Sequence, residues 1–141
     1  MIVFLDIDGV LNQLQGNYFL DKKCIENLGK LCKEIKGIVV LTSSWRLGYT
    51  NVGKCSPQIE ELRKLFREQN ISILGRTLDL GDRSEEIKKY IETHNVGNYV
   101  IIDDDISEFK NEALPNLYIV NHKTGLTDID INKLVKLYKK S

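Results

Sequence analysis

The sequence of 141 residues predicts a doubly wound α/β sandwich with a central, mostly parallel sheet. Three observations carry this. Short apolar runs rich in β-branched residues recur along the chain, as strands buried on both faces require. Segments with helical spacing and capping residues separate them. The polar residues with chemistry to offer gather at the ends of the runs rather than inside them.

Taken in order, Ile2 to Leu5, Ile38 to Leu41, Val100 to Ile102 and Leu117 to Val120 read as strands, with Ile71 to Leu74 a weaker fifth. Between the first two, Cys24, Ile25, Leu28, Leu31, Cys32 and Ile35 recur at helical spacing. Ser56-Pro57 reads as a cap followed by proline at the first helical position, ahead of Ile59, Leu62, Leu65 and Phe66. Asp82 with Glu85 offers a capping box before Ile87, Tyr90 and Ile91. Thr127 with Asp130 offers a looser cap to a last helix carrying Ile131, Leu134, Val135 and Tyr138. Alternating strand and helix imply a parallel sheet with helices on both faces, built as one domain over residues 1–141. The segments 13–20 and 47–54 have no regular pattern, and each follows a polar strand end, where the loops of an open α/β sheet line its functional edge.

Composition excludes several classes. Hydrophobic residues at 42% and charged residues at 28% are those of an ordinary globular protein. Basic and acidic residues balance at 20 each, which argues against holding nucleic acid by bulk electrostatics. The three cysteines form no CxxC pair, so free thiols in a reducing compartment are expected, Cys24 and Cys32 in the core. The first residues enter Ile2-Val3-Phe4-Leu5 without a basic leader, and no apolar stretch nears the roughly 20 residues of a membrane span. A cytoplasmic protein without membrane contact is the expectation.

Three strand ends are chemically loaded: Asp6-Ile7-Asp8, then Thr42-Ser43-Ser44-Trp45-Arg46, then Asp103-Asp104-Asp105. A parallel sheet brings these carboxyl ends to one edge. Carboxylates massed there repel unless a cation sits among them. Oxygen ligands without a His or Cys cluster favour Mg²⁺ over zinc, and neither His94 nor His122 has metal-like spacing.

DxDGVLN, a strand ending TSSWR, a basic residue opening a helix and a strand ending in DD together resemble the haloacid dehalogenase (HAD) superfamily. The finer pattern adds R-x-x-E-I, IIDDD and the late Gly125-Leu126-Thr127, and it is similar to the HAD domain of Swiss Army knife RNA-repair proteins. The likeness spans nearly the whole chain and implies a HAD-like Rossmannoid three-layer sandwich. It implies a Mg²⁺-dependent phosphatase that works through an aspartyl-phosphate. Asp6 is then the nucleophile and Asp8 the general acid and base. Thr42 holds a phosphoryl oxygen, with Ser43 the alternative. Arg83 takes the family's basic position, usually lysine, with Lys88 a second candidate. Mg²⁺ lies among Asp6, Asp8 and Asp104, with Asp103 the alternative to Asp104 and Glu108 an outer partner.

For Arg46 the alternatives are a substrate clamp and a surface salt bridge. For Trp45 they are a core plug and a place beside the substrate. The short gap between Asn12 and Asp21 leaves room only for a minimal cap, so the site is open. An open site suits a phosphomonoester on a bulky partner such as a nucleic-acid end, or a nucleotide stacked on Trp45, Tyr49 or Tyr18. The rivals are a catalytically idle HAD-like binding module and a phosphoryl-accepting receiver domain. A receiver usually carries an adjacent acidic pair on its first strand, where this chain has D-x-D.

Overall fold

The apolar runs become strands in the computed structural model, which describes residues 1–13, 19–50, 52–110 and 114–139. They are β1 (Ile2–Leu5), β2 (Ile38–Leu41), β3 (Ile73–Arg76), β4 (Tyr99–Asp103) and β5 (Leu117–Ile119). Their order across the sheet is β3-β2-β1-β4-β5. Every pairing is parallel, so the sheet of the described residues is wholly rather than mostly parallel.

The weak fifth strand exists but lies two residues later than Ile71 to Leu74. The Ile71 N–H donates to the Phe66 carbonyl at 2.9 Å, which draws Ile71 into the turn that ends the preceding helix. The strand then runs on through Gly75 to Arg76, positions with no apolar signature. That suits an edge strand, half of which faces water.

Among the described residues four α-helices flank the sheet: α1 (Lys22–Ile35), α2 (Pro57–Glu68), α3 (Arg83–His94) and α4 (Asp128–Tyr138). Each begins on a side-chain cap. Asp21 accepts from the N–H groups of Lys23 and Cys24, Ser56 from Ile59, and Asp82 from Glu85. At α4 the cap is tighter than the sequence suggested, a full capping box in which Thr127 and Asp130 each bond the other's backbone N–H. Such caps are worth about 1 kcal/mol each.

The period of two in the strands divides the core into layers. Val3, Leu5, Val39, Leu41, Val100 and Ile102 face α1, α2 and α4. Phe4, Val40 and Ile101 face the other way, onto Ile87 and Tyr90 of α3 and onto Phe109 and Leu114. There the Phe4 ring meets Tyr90 edge-on, with centroids 5.6 Å apart. Helices therefore cover both faces of the sheet.

Cys24, Cys32 and Cys55 are buried and none is in a disulfide. Burial pushes the Cys24 and Cys32 thiols up to about 11 and about 12, so they are packing residues rather than nucleophiles. Among the described residues no helix is long and apolar enough to cross a membrane.

Strand order reverses between β1 and β4. The chain steps outward from β1 to β2 and β3, then returns to the other side of β1. Ligands bind in open α/β sheets in the crevice at the carboxyl ends of such a pair.

Candidate active site

Asp6 is the first residue past β1, and its N–H still bonds the Ile102 carbonyl of β4 at 3.0 Å. The ladder then stops. The Ile7 carbonyl accepts from both Val10 and Leu11, and the chain turns with Gly9 at φ +82°. This turn takes Asp8 off the strand face and resolves the crowding that two carboxylates at i and i+2 would suffer. Gly9 has a second reason to be glycine: a Cβ there would overlap the Asp104 carboxylate. Gly9→Ala is expected to cost about 1–2 kcal/mol for the left-handed backbone alone, read from chemical denaturation, with a further loss from displacing Asp104.

Across the crevice the β4 end supplies Asp103 and Asp104. Carboxylate oxygens of Asp6, Asp103 and Asp104 all lie within 4.8 Å of one another. Arg83, the first residue of α3, reaches in from the side. Its Nη1 is 2.7 Å from Asp103 Oδ2 and 3.4 Å from Asp6 Oδ1. One arginine does not balance three carboxylates. Burial first, and the Asp103 charge next, hold the Asp6 carboxyl well above the usual carboxylate range, although Arg83 pulls it back. Burial likewise raises Asp103 against the pull of Arg83. Three oxygen donors this close, with a deficit of positive charge, fit a hard divalent cation.

The two β4 carboxylates are not equivalent. Asp103 is fully buried and already engaged, one oxygen by Arg83 and the other by the Asp105 N–H at 3.0 Å. Asp104 is half-buried and faces Gly9 and Asp6. Glu108 lies on the exposed rim of the same cleft.

The end of β2 closes the crevice on the far side of β1. Thr42 and Ser43 are both buried, but only Ser43 spends its hydroxyl on the fold, capping the 3-10 turn Ser44–Gly48 by accepting from the Trp45 N–H. The Thr42 hydroxyl is buried without a hydrogen-bond partner among the described residues. Of the two hydroxyls, Thr42 is the one that makes no hydrogen bond among the described residues, while Ser43, an acceptor in its bond, keeps its O–H free to donate.

Arg46 is no surface salt bridge. It is 5% exposed and donates to the Thr42 carbonyl at 2.7 Å, to Glu86 at 2.9 Å and to Asp79 at 3.2 Å. Its charge therefore braces the β2 end against α3, while its side chain also lines the cleft. Trp45 is half-buried against the main core, and its Nε1 lies 3.2 and 3.1 Å from the two oxygens of Asp8.

Of these groups, Asp6, Asp8, Arg46, Arg83 and Asp104 line an open cleft of about 450 Å³, whereas Thr42, Ser43, Trp45 and Asp103 do not line it. The rim is acidic, with Asp79, Asp105 and Glu108. Tyr49, expected as a stacking platform, is instead a core residue and does not line this cleft. Tyr18 lies outside the described residues. Lys88 is further along α3 and does not line the cleft, whereas Arg83 does. His94 stacks on Tyr90 at 3.9 Å, remote from the carboxylates in role and contact.

Sequence reasoning gave no role to Asn12, Asp79 or Glu86. Asn12 is fully buried, donates to Asp8 and accepts from the Gly9 N–H, which ties the first turn together. Glu86 is 3% exposed and joins Arg46 to the Leu80 N–H. Both stand in quoted motifs, DxDGVLN and R-x-x-E-I, and their polar character at otherwise apolar-facing positions was the available signal. The Gly125-Leu126-Thr127 segment also finds its purpose. Gly125 at φ +68° has no room for a Cβ against Cys24 and the Val10 carbonyl, and the Leu126 N–H bonds that carbonyl at 2.8 Å. The segment supports the first turn from behind.

A family model described as the HAD domain in Swiss Army Knife RNA repair proteins matches residues 2–131. No curated protein and no solved structure matches the chain.

Proposed function

Because the chain belongs to the family of HAD domains found in Swiss Army Knife RNA repair proteins, we propose that it is a Mg²⁺-dependent phosphatase acting on terminal phosphomonoesters of nucleotides or nucleic-acid ends. The family suggests phosphatase-type chemistry. The observation that carries the finer reading is the meeting of Asp6, Asp104 and Arg83 in one open cleft at the β1–β4 switch.

Each residue then has a task. Asp6 attacks phosphorus and forms an aspartyl-phosphate, which divides one difficult displacement into two. Arg83, held by Asp103, is aimed at the equatorial oxygens, and the unpartnered Thr42 hydroxyl binds one of them from the β2 side. Asp8 gives a proton to the departing ester oxygen and later takes one from water. Asp6 and Asp104 would hold Mg²⁺, which when bound neutralises the nucleophile and the phosphate oxygens; the Asp8 carboxyl lies outside the trio of close carboxylates and is kept for the proton. Asp103, already committed to Arg83, serves mainly to fix that arginine. Asp104→Asn is expected to raise the Mg²⁺ needed for half-maximal activity by at least the roughly 10- to 100-fold that loss of an outer-shell partner costs. A Mg²⁺ titration of the rate reads it; an unaltered titration moves the role to Asp103.

The rim argues for how substrate enters. A nucleic-acid strand laid across Asp79, Asp105 and Glu108 would bring internal phosphates against exposed carboxylates, at a cost that salt only partly screens. A single terminal phosphate entering end-on meets Arg83 instead. Phosphate release from nucleoside monophosphates, 5′- and 3′-phosphorylated oligonucleotides and an aryl phosphate, with Mg²⁺ or with chelator, tests the proposal. Release that needs Mg²⁺ supports it, and the best substrate names the class. No release from any of them, by folded protein, contradicts it.

A further inference from the structure

Asp8 is the residue whose orientation decides whether a proton reaches the ester oxygen, and two side chains hold it, one from its own turn and one from the 3-10 turn after β2. The Trp45 indole N–H faces both of its oxygens, at 3.2 and 3.1 Å, and Asn12 Nδ2 donates to one of them at 3.0 Å. Neither donor is loose. Asn12 is fully buried and bonded to the Gly9 N–H at 2.8 Å. The Trp45 ring packs against the main core, and its own backbone N–H is fixed by Ser43 Oγ at 3.1 Å.

We propose that Trp45 is a positioning residue for the acid–base step: its indole N–H sets the Asp8 carboxyl in line with the ester and attacking-water oxygens, and it is not a platform for substrate. This rests on the phosphatase reading above. An indole nitrogen donates only and has no accessible second protonation state. It can therefore orient Asp8 without competing for the proton in transit.

The two half-reactions balance. In the first, the Asp6 oxygen bonds phosphorus, the bond from phosphorus to the ester oxygen breaks, and the Asp8 proton goes to that oxygen. In the second, a water oxygen bonds phosphorus, the Asp6–phosphorus bond breaks, and the water proton returns to Asp8. When one Asp8 oxygen carries the proton, the other still accepts from Trp45. The side chain keeps its place through both steps.

The test separates orientation of an acid from general packing. Trp45→Phe keeps an aromatic ring and removes the N–H. Because Trp45 is the single tryptophan, biosynthetic replacement of tryptophan by 3-benzothienylalanine provides a second, nearly isosteric variant without the donor. For each, kcat/KM with Mg²⁺, which reports the steps up to phosphoryl transfer to Asp6, is measured for an alkyl phosphate and for 4-nitrophenyl phosphate. An alkoxide leaves poorly and needs its proton, whereas 4-nitrophenolate does not. The expected result is a loss of about 100-fold on the alkyl ester, with the aryl ester changed by no more than a few-fold. Equal losses on both esters, or no loss on either, in variants that melt as wild type does, overturn the proposal and leave the phosphatase reading standing. A wild-type protein inactive on both esters overturns that reading, and this proposal with it.

Discussion

Asp6→Asn is expected to reduce Mg²⁺-dependent phosphate release by at least about 10⁴-fold, since removing a covalent nucleophile elsewhere has cost on the order of 10⁶-fold. The substitution is isosteric, and the fold does not need the charge. Asp6 is buried beside Asp103, and its carboxyl is held well above the usual range. A carboxyl raised in the folded state favours folding while it keeps its proton. That contribution is lost as pH rises through the raised value. Above the ordinary carboxylate range the buried carboxyl is thus a liability that asparagine removes. Arg83 keeps its shorter pair with Asp103 at 2.7 Å. Metal-free Asp6→Asn should accordingly melt at or above the wild-type temperature while it loses turnover. A variant that keeps most of its activity would remove Asp6 from the nucleophile's role.

Glu86→Ala should give the largest loss of stability. Glu86 and Arg46 are both buried and meet at 2.9 Å. Taking one partner from a buried pair strands the other charge and costs about 3–5 kcal/mol, far above the 0–1 kcal/mol typical of an exposed pair such as Lys139 with Glu34. Asp79 remains within 3.2 Å of Arg46, but it is well exposed and offsets only part of the loss. The lower end of the range is therefore expected, a fall in Tm of about 10 °C for a chain of this size. Replacing both charges, as in Arg46→Met with Glu86→Leu, should recover much of it, because no charge is then left buried. A single variant as stable as wild type would mean that solvent already reaches the pair.

The contrast between these variants follows what the residues themselves could disclose. The inner strands β1, β2 and β4 announce themselves by unbroken apolar runs, and so does β5, although it is an edge strand with Ile119 exposed. Edge strand β3 does not, because Gly75 and Arg76 carry no apolar signal and Ile71 belongs to the α2 turn. That Asp6, Asp8, the Thr42–Ser43 pair and the Asp103–Asp104 pair share one edge was legible because a parallel sheet must gather its carboxyl ends, whereas Arg83, at the start of α3, came from the family resemblance. Which of Asp103 and Asp104 faces the cleft was not legible, since it depends on the turn after β4 and on where Arg83 arrives. The pairs Arg46–Glu86 and Trp45–Asp8 were hidden for the same reason. Both link motifs that were each visible, but the partners stand 40 and 37 positions apart, and only the crossing of α3 and the 3-10 turn over the sheet edge brings them together. Tyr49 looked available because it lies in an irregular segment, yet the turn that begins at Ser44 folds it into the core.

The most direct measurement concerns the covalent step at Asp6. The Asp8→Asn variant, which lacks the base for the second half-reaction, is mixed with an aryl phosphate and Mg²⁺, quenched in acid and mapped by peptide mass. One phosphoryl group on the peptide that contains Asp6, absent without Mg²⁺ and absent from an Asp6→Asn, Asp8→Asn double variant, is the predicted result. Phosphate released by wild type with no phosphorylated peptide in the quenched variant, or with the group on another residue, would contradict nucleophilic attack by Asp6.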